Sequence, residues 1–131
     1  MIGEEEHSCI DCRFRVLVCG SREWLAPAPI VRALRGLAED HPDLIVIHGG
    51  ARGADKLAGG AALFLGLDVI EVPAKWREYG RAAGPIRNQE MLEMRPDLVL
   101  AFHERMDLGK GTRDMVNRAT KAGIPVEVFH S

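Results

Sequence analysis

Three glycine-containing turns carry most of the chemistry that this 131-residue chain can offer. The central one is His48-Gly49-Gly50-Ala51-Arg52-Gly53-Ala54-Asp55, after the apolar run Leu44-Ile45-Val46-Ile47 and before a helical pattern of small residues. Glycine accepts positive φ cheaply, so this turn permits tight backbone approach to a ligand. Arg52 adds a planar, permanently charged fork, and Asp55 an acceptor or a helix cap. Upstream, Gly20, Ser21 and Arg22 offer successive N–H groups as an anion nest, with a hydroxyl and a guanidinium as further donors. Downstream, Gly109-Lys110-Gly111-Thr112 has the composition of a phosphate loop without the Walker spacing, so Lys110 and Thr112 are not a Walker pair. Convergence of the three turns on one phosphate-bearing, nucleotide-like ligand is the expectation.

Two further groups fit that chemistry. The stretch from Pro73 to Pro85 mixes Lys75, Trp76, Arg77, Tyr79 and Arg81, and reads as a functional loop at the ligand-binding edge. A helix opening near Pro85 puts Arg87 and Asn88 close to its start, where backbone donors favour anions and Asn88 can meet a base or ribose edge. Cys9-Ile10-Asp11-Cys12 has the spacing of a redox pair or half a zinc site, but no second pair follows. No metal and no cofactor are therefore expected, and residues 1–12 are read as a flexible amino-terminal tail.

The elements that must position these groups follow from hydrophobic pattern. Strands are expected at 14–19, 44–47, 68–72, 97–102 and 125–129, mostly as short apolar runs suited to a sheet covered on both faces. Helices are expected at 29–40, 54–64, from 85 onward and at 113–122, with Thr112 as an amino-terminal cap of the last. Trp24 reads as a lid or packing residue over the first turn. Strand–helix–strand units of this length imply parallel pairing with right-handed crossovers. The prediction is one α/β domain over 13–131, a Rossmann-like three-layer sandwich with a mostly parallel five-stranded sheet. Its ligand belongs at the carboxyl ends of the strands, where strand order reverses.

Composition narrows the function classes. The formal net charge of −2 argues against a bulk preference for nucleic acid, although arginine outnumbers lysine and a local basic patch is compatible with it. No apolar segment approaches the roughly 20 residues needed to cross a bilayer. The acidic start, Met1-Ile2-Gly3-Glu4-Glu5-Glu6, is unlike a secretory signal, so a cytoplasmic protein without membrane partners is expected.

The segments Val16 to Arg22, His48 to Asp55, Trp76 with Tyr79-Gly80-Arg81, Ala83-Gly84-Pro85 with Arg87-Asn88, and Gly111-Thr112 together resemble the YspA-type branch of the SLOG superfamily. The resemblance runs from about residue 14 to 129. It implies a Rossmann-like fold related to the Lonely Guy-type phosphoribohydrolases and to DNA-processing protein A, and a nucleotide or nucleotide-derived ligand. By position, it implies that Gly20, Ser21 and Arg22 line a first phosphate turn. Gly49, Gly50, Arg52, Gly53 and Asp55 would form a second, and Arg87 with Asn88 a helix-start contribution. The phosphoribohydrolases carry Gly-Gly-x-Gly-Thr-x-x-Glu with a catalytic glutamate; Gly109, Gly111 and Thr112 fit parts of it, but Met115 stands at the glutamate position. A thioether cannot replace that carboxylate.

Binding or sensing of a nucleotide-like small molecule is therefore the leading expectation. Arg81, Arg87, Asn88, Gly111 and Thr112 are expected to join the two glycine turns around it. The alternatives are a phosphoribohydrolase-like hydrolase using Asp55, Asp114, Glu104 or His103, and a single-stranded nucleic-acid-binding protein, which net acidity disfavours. Whether the chain is an enzyme is left open. A dimer or higher homo-oligomer is expected from the resemblance, since a short chain can complete a shallow site from a neighbour.

Overall fold

The computed structural model describes residues 12–105 and 107–131, so the expectations for residues 1–11 lie outside the described residues. Five strands form one sheet: β1 Arg15–Gly20, β2 Ile45–His48, β3 Asp68–Glu71, β4 Leu98–Phe102 and β5 Val126–Phe129. Their spatial order is β3-β2-β1-β4-β5, and every pairing is parallel. The expected "mostly parallel" sheet is thus wholly parallel. Each strand must return by a crossover, and helices supply all of them: α1 Pro27–Asp40, α2 Ala54–Phe64, α3 Trp76–Tyr79, α4 Ala83–Glu93 and α5 Gly109–Lys121.

Alternation along the strands assigns the two faces of the sheet. Val16, Val18, Val46, Leu100 and Phe102 point to the side covered by α1 and α2, with Ile30, Leu34, Ala58 and Ala62 packed against them. Leu17, Cys19, Ile47, Val99 and Ala101 point to the other side, under Met91 of α4 and Met115 and Ala119 of α5. Both faces are covered, which is why the central strands read as unbroken apolar runs. Trp24 is 3% exposed and meets Phe102 edge-on at 5.6 Å, so it packs in the core beside the first turn.

Three boundaries differ from the sequence expectation. The first helix starts at Pro27 rather than 29, with both prolines in its first turn, where no amide donor is needed. The segment 73–85 contains α3 and a 3-10 turn, Gly80–Ala82, that leads into α4. The last helix starts at Gly109, so Thr112 is not a cap: it sits inside the first turn of α5 and is 7% exposed. A glycine at φ +75° begins that helix, and helix propensity alone gives no sign of it.

Two glycines show how tightly the carboxyl edge is built. A Cβ on Gly20 would collide with the Phe102 carbonyl, and one on Gly53 with the Ser21 carbonyl. Ser21 ties the edge together: its amide donates to Phe102 O at 2.9 Å, and its carbonyl accepts from Ala54 N at 3.0 Å. The end of β1 is thereby locked to the end of β4 and to the start of α2.

The adjacent glycines of α2 give a test. Gly60 has nothing within 4 Å of an added Cβ, so Gly60→Ala should stabilise by roughly 0.5–1 kcal/mol, the helix-propensity difference. At Gly59 a Cβ would stand 2.9 Å from His48 Nε2, so Gly59→Ala should destabilise by roughly 1–3 kcal/mol through overpacking. Thermal unfolding of the two variants is expected to move in opposite directions.

Candidate functional site

A cleft of about 600 Å³ opens at the carboxyl ends of β1 and β4. Cys19, Gly20, Ser21 and Asp55 line its floor side, Arg81 to Asn88 contribute one wall, and Leu108 to Thr112 with His103 the other. Arg22 and Trp76 also border it, the guanidinium lying 5.9 Å from the centre of the indole ring. Trp76 is half exposed, so it does not plug the core.

The structure brings Gly20, Ser21, Arg22, Asp55, Arg81, Arg87, Asn88, Gly111 and Thr112 to this one cleft. Gly49, Gly50 and Arg52 instead line an adjoining recess of about 340 Å³, which shares Arg22, Ala51, Trp76 and Arg87 with the cleft. Gly53 lines neither; it provides the close approach to Ser21. Cys19, Lys110, His103 and Asp114 also face the cleft. The strand-end position of Cys19 announces its place there; the direction of Asp114 follows only from where α5 begins.

The central turn is satisfied from within. One oxygen of Asp55 accepts from Gly49 N at 3.1 Å and Ala51 N at 3.2 Å, while His48 Nδ1 accepts from Gly50 N at 3.0 Å. Burial lowers the His48 pKa, which keeps the imidazole neutral and that nitrogen an acceptor. Asp55 is therefore not a helix cap: one of its oxygens is held by the amides of its own turn, while the residue lines the cleft. Arg87 reaches over the same turn, donating to Gly49 O at 2.8 Å and to Asn88 Oδ1 at 3.2 Å.

Asn88 is likewise engaged. Its amide nitrogen donates to Asp114 Oδ2 at 2.9 Å and to Gly111 O at 3.3 Å, fastening α4 to the start of α5. Asp114 also accepts from Arg118 Nε at 2.8 Å. The Ser21 hydroxyl accepts from Glu23 N and donates to Glu104 at 3.3 Å. These side chains position the walls of the cleft. Met115 is fully buried in the core beneath it.

What faces the opening is positive. Arg22, Arg81 and Lys110 form no ion pair among the described residues. No side chain caps α4, whereas at α5 the Asp107 carboxylate accepts from Gly109 N at 3.3 Å; the first turns of both helices border the cleft. The helix starts add little to that field: Ala83 N donates to Gly80 O, Pro85 has no N–H, and Gly109 N is held by Asp107.

Asp55 sets the pH response of the edge. Burial is the largest influence and raises its carboxyl pKa from 3.8 to about 6, against the pull of the Gly49 and Ala51 amides, Arg87 and Arg22. Between those values the folded state binds more protons than the unfolded chain, so this group's contribution to stability falls as pH rises from about 4 to 6 and is flat above. Asp55→Asn retains an oxygen for both amides and removes the titration. The variant should gain stability relative to the native chain by roughly 3 kcal/mol between pH 4 and pH 7, read from urea midpoints. Asp55→Ala should lose about 1–3 kcal/mol at pH 4 by orphaning the two amides. Parallel pH profiles for the native chain and Asp55→Asn would refute the assignment.

Comparison with known proteins places this geometry. The model of the YspA, cpYpsA-related SLOG family matches residues 14–79, from the first strand through the segment carrying Trp76. The Gene 61 protein of Mycobacterium phage D29 is 40% identical over 123 residues, spanning 88% of this chain and 95% of that protein. The X-ray structure of DNA processing protein A from Streptococcus pneumoniae aligns with a TM-score of 0.71 at 22% identity, over 88% of this chain and 50% of that one. At that identity the likeness is one of fold, and this chain spans half of that protein. With a family match over half its length, on a wholly parallel 3-2-1-4-5 sheet, the chain belongs to the YspA, cpYpsA-related SLOG family.

Proposed function

We propose that the cleft binds a nucleotide or nucleotide-derived ligand through its phosphate, without requiring turnover. Membership of the SLOG family supports a role related to nucleotides or nucleic acids in general. The observation that carries the finer reading is the set of cations at the cleft, Arg22, Arg81 and Lys110, which form no ion pair among the described residues. Like charges gathered at one opening repel one another, and together they suit a phosphate. The volume, about 600 Å³, falls within the range of small-molecule sites. The exposed face of Trp76 offers a base a stacking surface.

Turnover by the phosphoribohydrolase route has less support. The residue at the glutamate position, Met115, points into the core, and the neighbouring Asp114 is held by Asn88 and Arg118. Binding therefore accounts for the site with the groups present.

Calorimetric titration tests the reading. A nucleoside 5′-monophosphate should bind, and the corresponding nucleoside should bind at least tenfold more weakly, because charge-assisted hydrogen bonds supply the difference (about 1.5–3 kcal/mol). Lys110→Ala and Arg81→Ala should each weaken the monophosphate by roughly five- to tenfold, and the effect should shrink at high salt. Equal affinity for nucleoside and monophosphate would overturn the phosphate assignment.

A further inference from the structure

A pocket of about 480 Å³ lies at the amino ends of β1, β2 and β4, the end of the sheet away from the cleft, and the nucleotide reading gives it no role. Arg95 is the residue there that needs explaining. It follows α4 at φ +57° and is the one non-glycine residue with positive φ among the described residues. Its amide donates to Leu92 O at 3.0 Å, which closes the end of the helix. Glycine is the usual occupant of such a left-handed position, and Pro96 next in sequence already stops the helix, so termination does not require an arginine. Strained backbone of this kind persists where the surroundings or a function hold it. The Arg95 side chain lines the pocket and forms no hydrogen bond or ion pair among the described residues.

Most other charged groups of this pocket serve the fold. Arg13 donates through Nε to Asp43 O at 2.7 Å and pairs with Asp68 at 2.7 Å. Arg15 donates through Nη1 to Met94 O at 3.0 Å, and its amide is accepted by Asp97 Oδ2 at 2.9 Å. The Asp43 carboxylate differs: like the Arg95 guanidinium, it has no hydrogen bond or ion pair among the described residues. Phe14 and His41, stacked at 3.8 Å with 13° between their planes, add an aromatic wall. A purely anionic ligand would meet the carboxylates of Asp43 and Asp97, and a purely cationic one the three arginines. A ligand bearing both charges satisfies each open group, because a guanidinium fork fits a carboxylate in a bidentate manner and a carboxylate accepts from an ammonium. The volume falls within the range of small-molecule sites.

We infer that this pocket binds an α-amino acid with an aromatic side chain, its carboxylate on Arg95, its ammonium on Asp43 and its ring beside the Phe14–His41 stack. The site is separate from the cleft and stands or falls independently of the nucleotide reading.

The test is an NMR titration of the full chain with L-phenylalanine, alongside phenethylamine, which lacks the carboxylate, and hydrocinnamate, which lacks the ammonium. Phenylalanine should saturate, and each comparison compound should bind roughly tenfold more weakly, since each loses one charge-assisted contact. Arg95→Gly removes the guanidinium and relieves the left-handed backbone, so binding should be lost while the thermal midpoint holds or rises. Arg95→Asn, which also tolerates that conformation, should behave alike. Asp43→Asn should bring phenylalanine and hydrocinnamate to similar affinity. No saturation by phenylalanine at millimolar concentration, equal binding of the three compounds, or an affinity untouched by Arg95→Gly overturns the inference. A lower thermal midpoint in both Arg95 variants would show that the arginine serves the fold, and overturns it as well.

Discussion

The carboxyl edge of this sheet is organised by one carboxylate oxygen. Asp55 Oδ2 draws the amides of Gly49 and Ala51 onto itself and so fixes the path of the chain from β2 into α2. Everything nearby takes its position from that path. Arg87 can rest on the Gly49 carbonyl because the turn presents it outward, and Gly53 can pass close to Ser21 because α2 begins where Asp55 holds it. The cost is a negative charge under protein, borne because two amides and two arginines surround it.

That internal anion divides the labour at the edge. Backbone donors after β2 serve the fold, whereas the side chains of Arg22, Arg52, Arg81 and Lys110 face the openings. The same division holds for Asn88 and Asp114, which look like ligand contacts by position and act as a brace between α4 and α5. A site of this kind is preorganised by buried polar pairs and attracts through its exposed cations.

Much of this was readable from residue order, and the exceptions have physical causes. Val16 to Cys19 and Leu44 to Ile47 are apolar on both faces, which only a doubly covered sheet needs, so the strands and the three layers followed from pattern. The start of α5 did not, because Gly109 and Gly111 read as loop residues and only their neighbours in space make a helix there. The short α3 hides between Pro73 and Gly80, whose turn character outweighs four residues of weak helical pattern. At the site, residue type gave charge and sequence position gave the edge. Direction was not available: that Arg52 turns toward Glu23 while Asp55 turns back to its own loop depends on rotamers set by packing.

The strand order also governs how the chain must assemble. β1 sits at the centre of the sheet, between β2, which follows closely in sequence, and β4, whose register pairs Val16 with Leu98. A nascent chain therefore completes β1, β2 and β3 while one side of β1 stays unpaired until much later synthesis supplies β4. During that interval a largely apolar strand is an open edge, a template for association with other chains. Long sequence separation makes its closure an entropically slow event, which puts the molecule's greatest hazard of aggregation before its folding is complete.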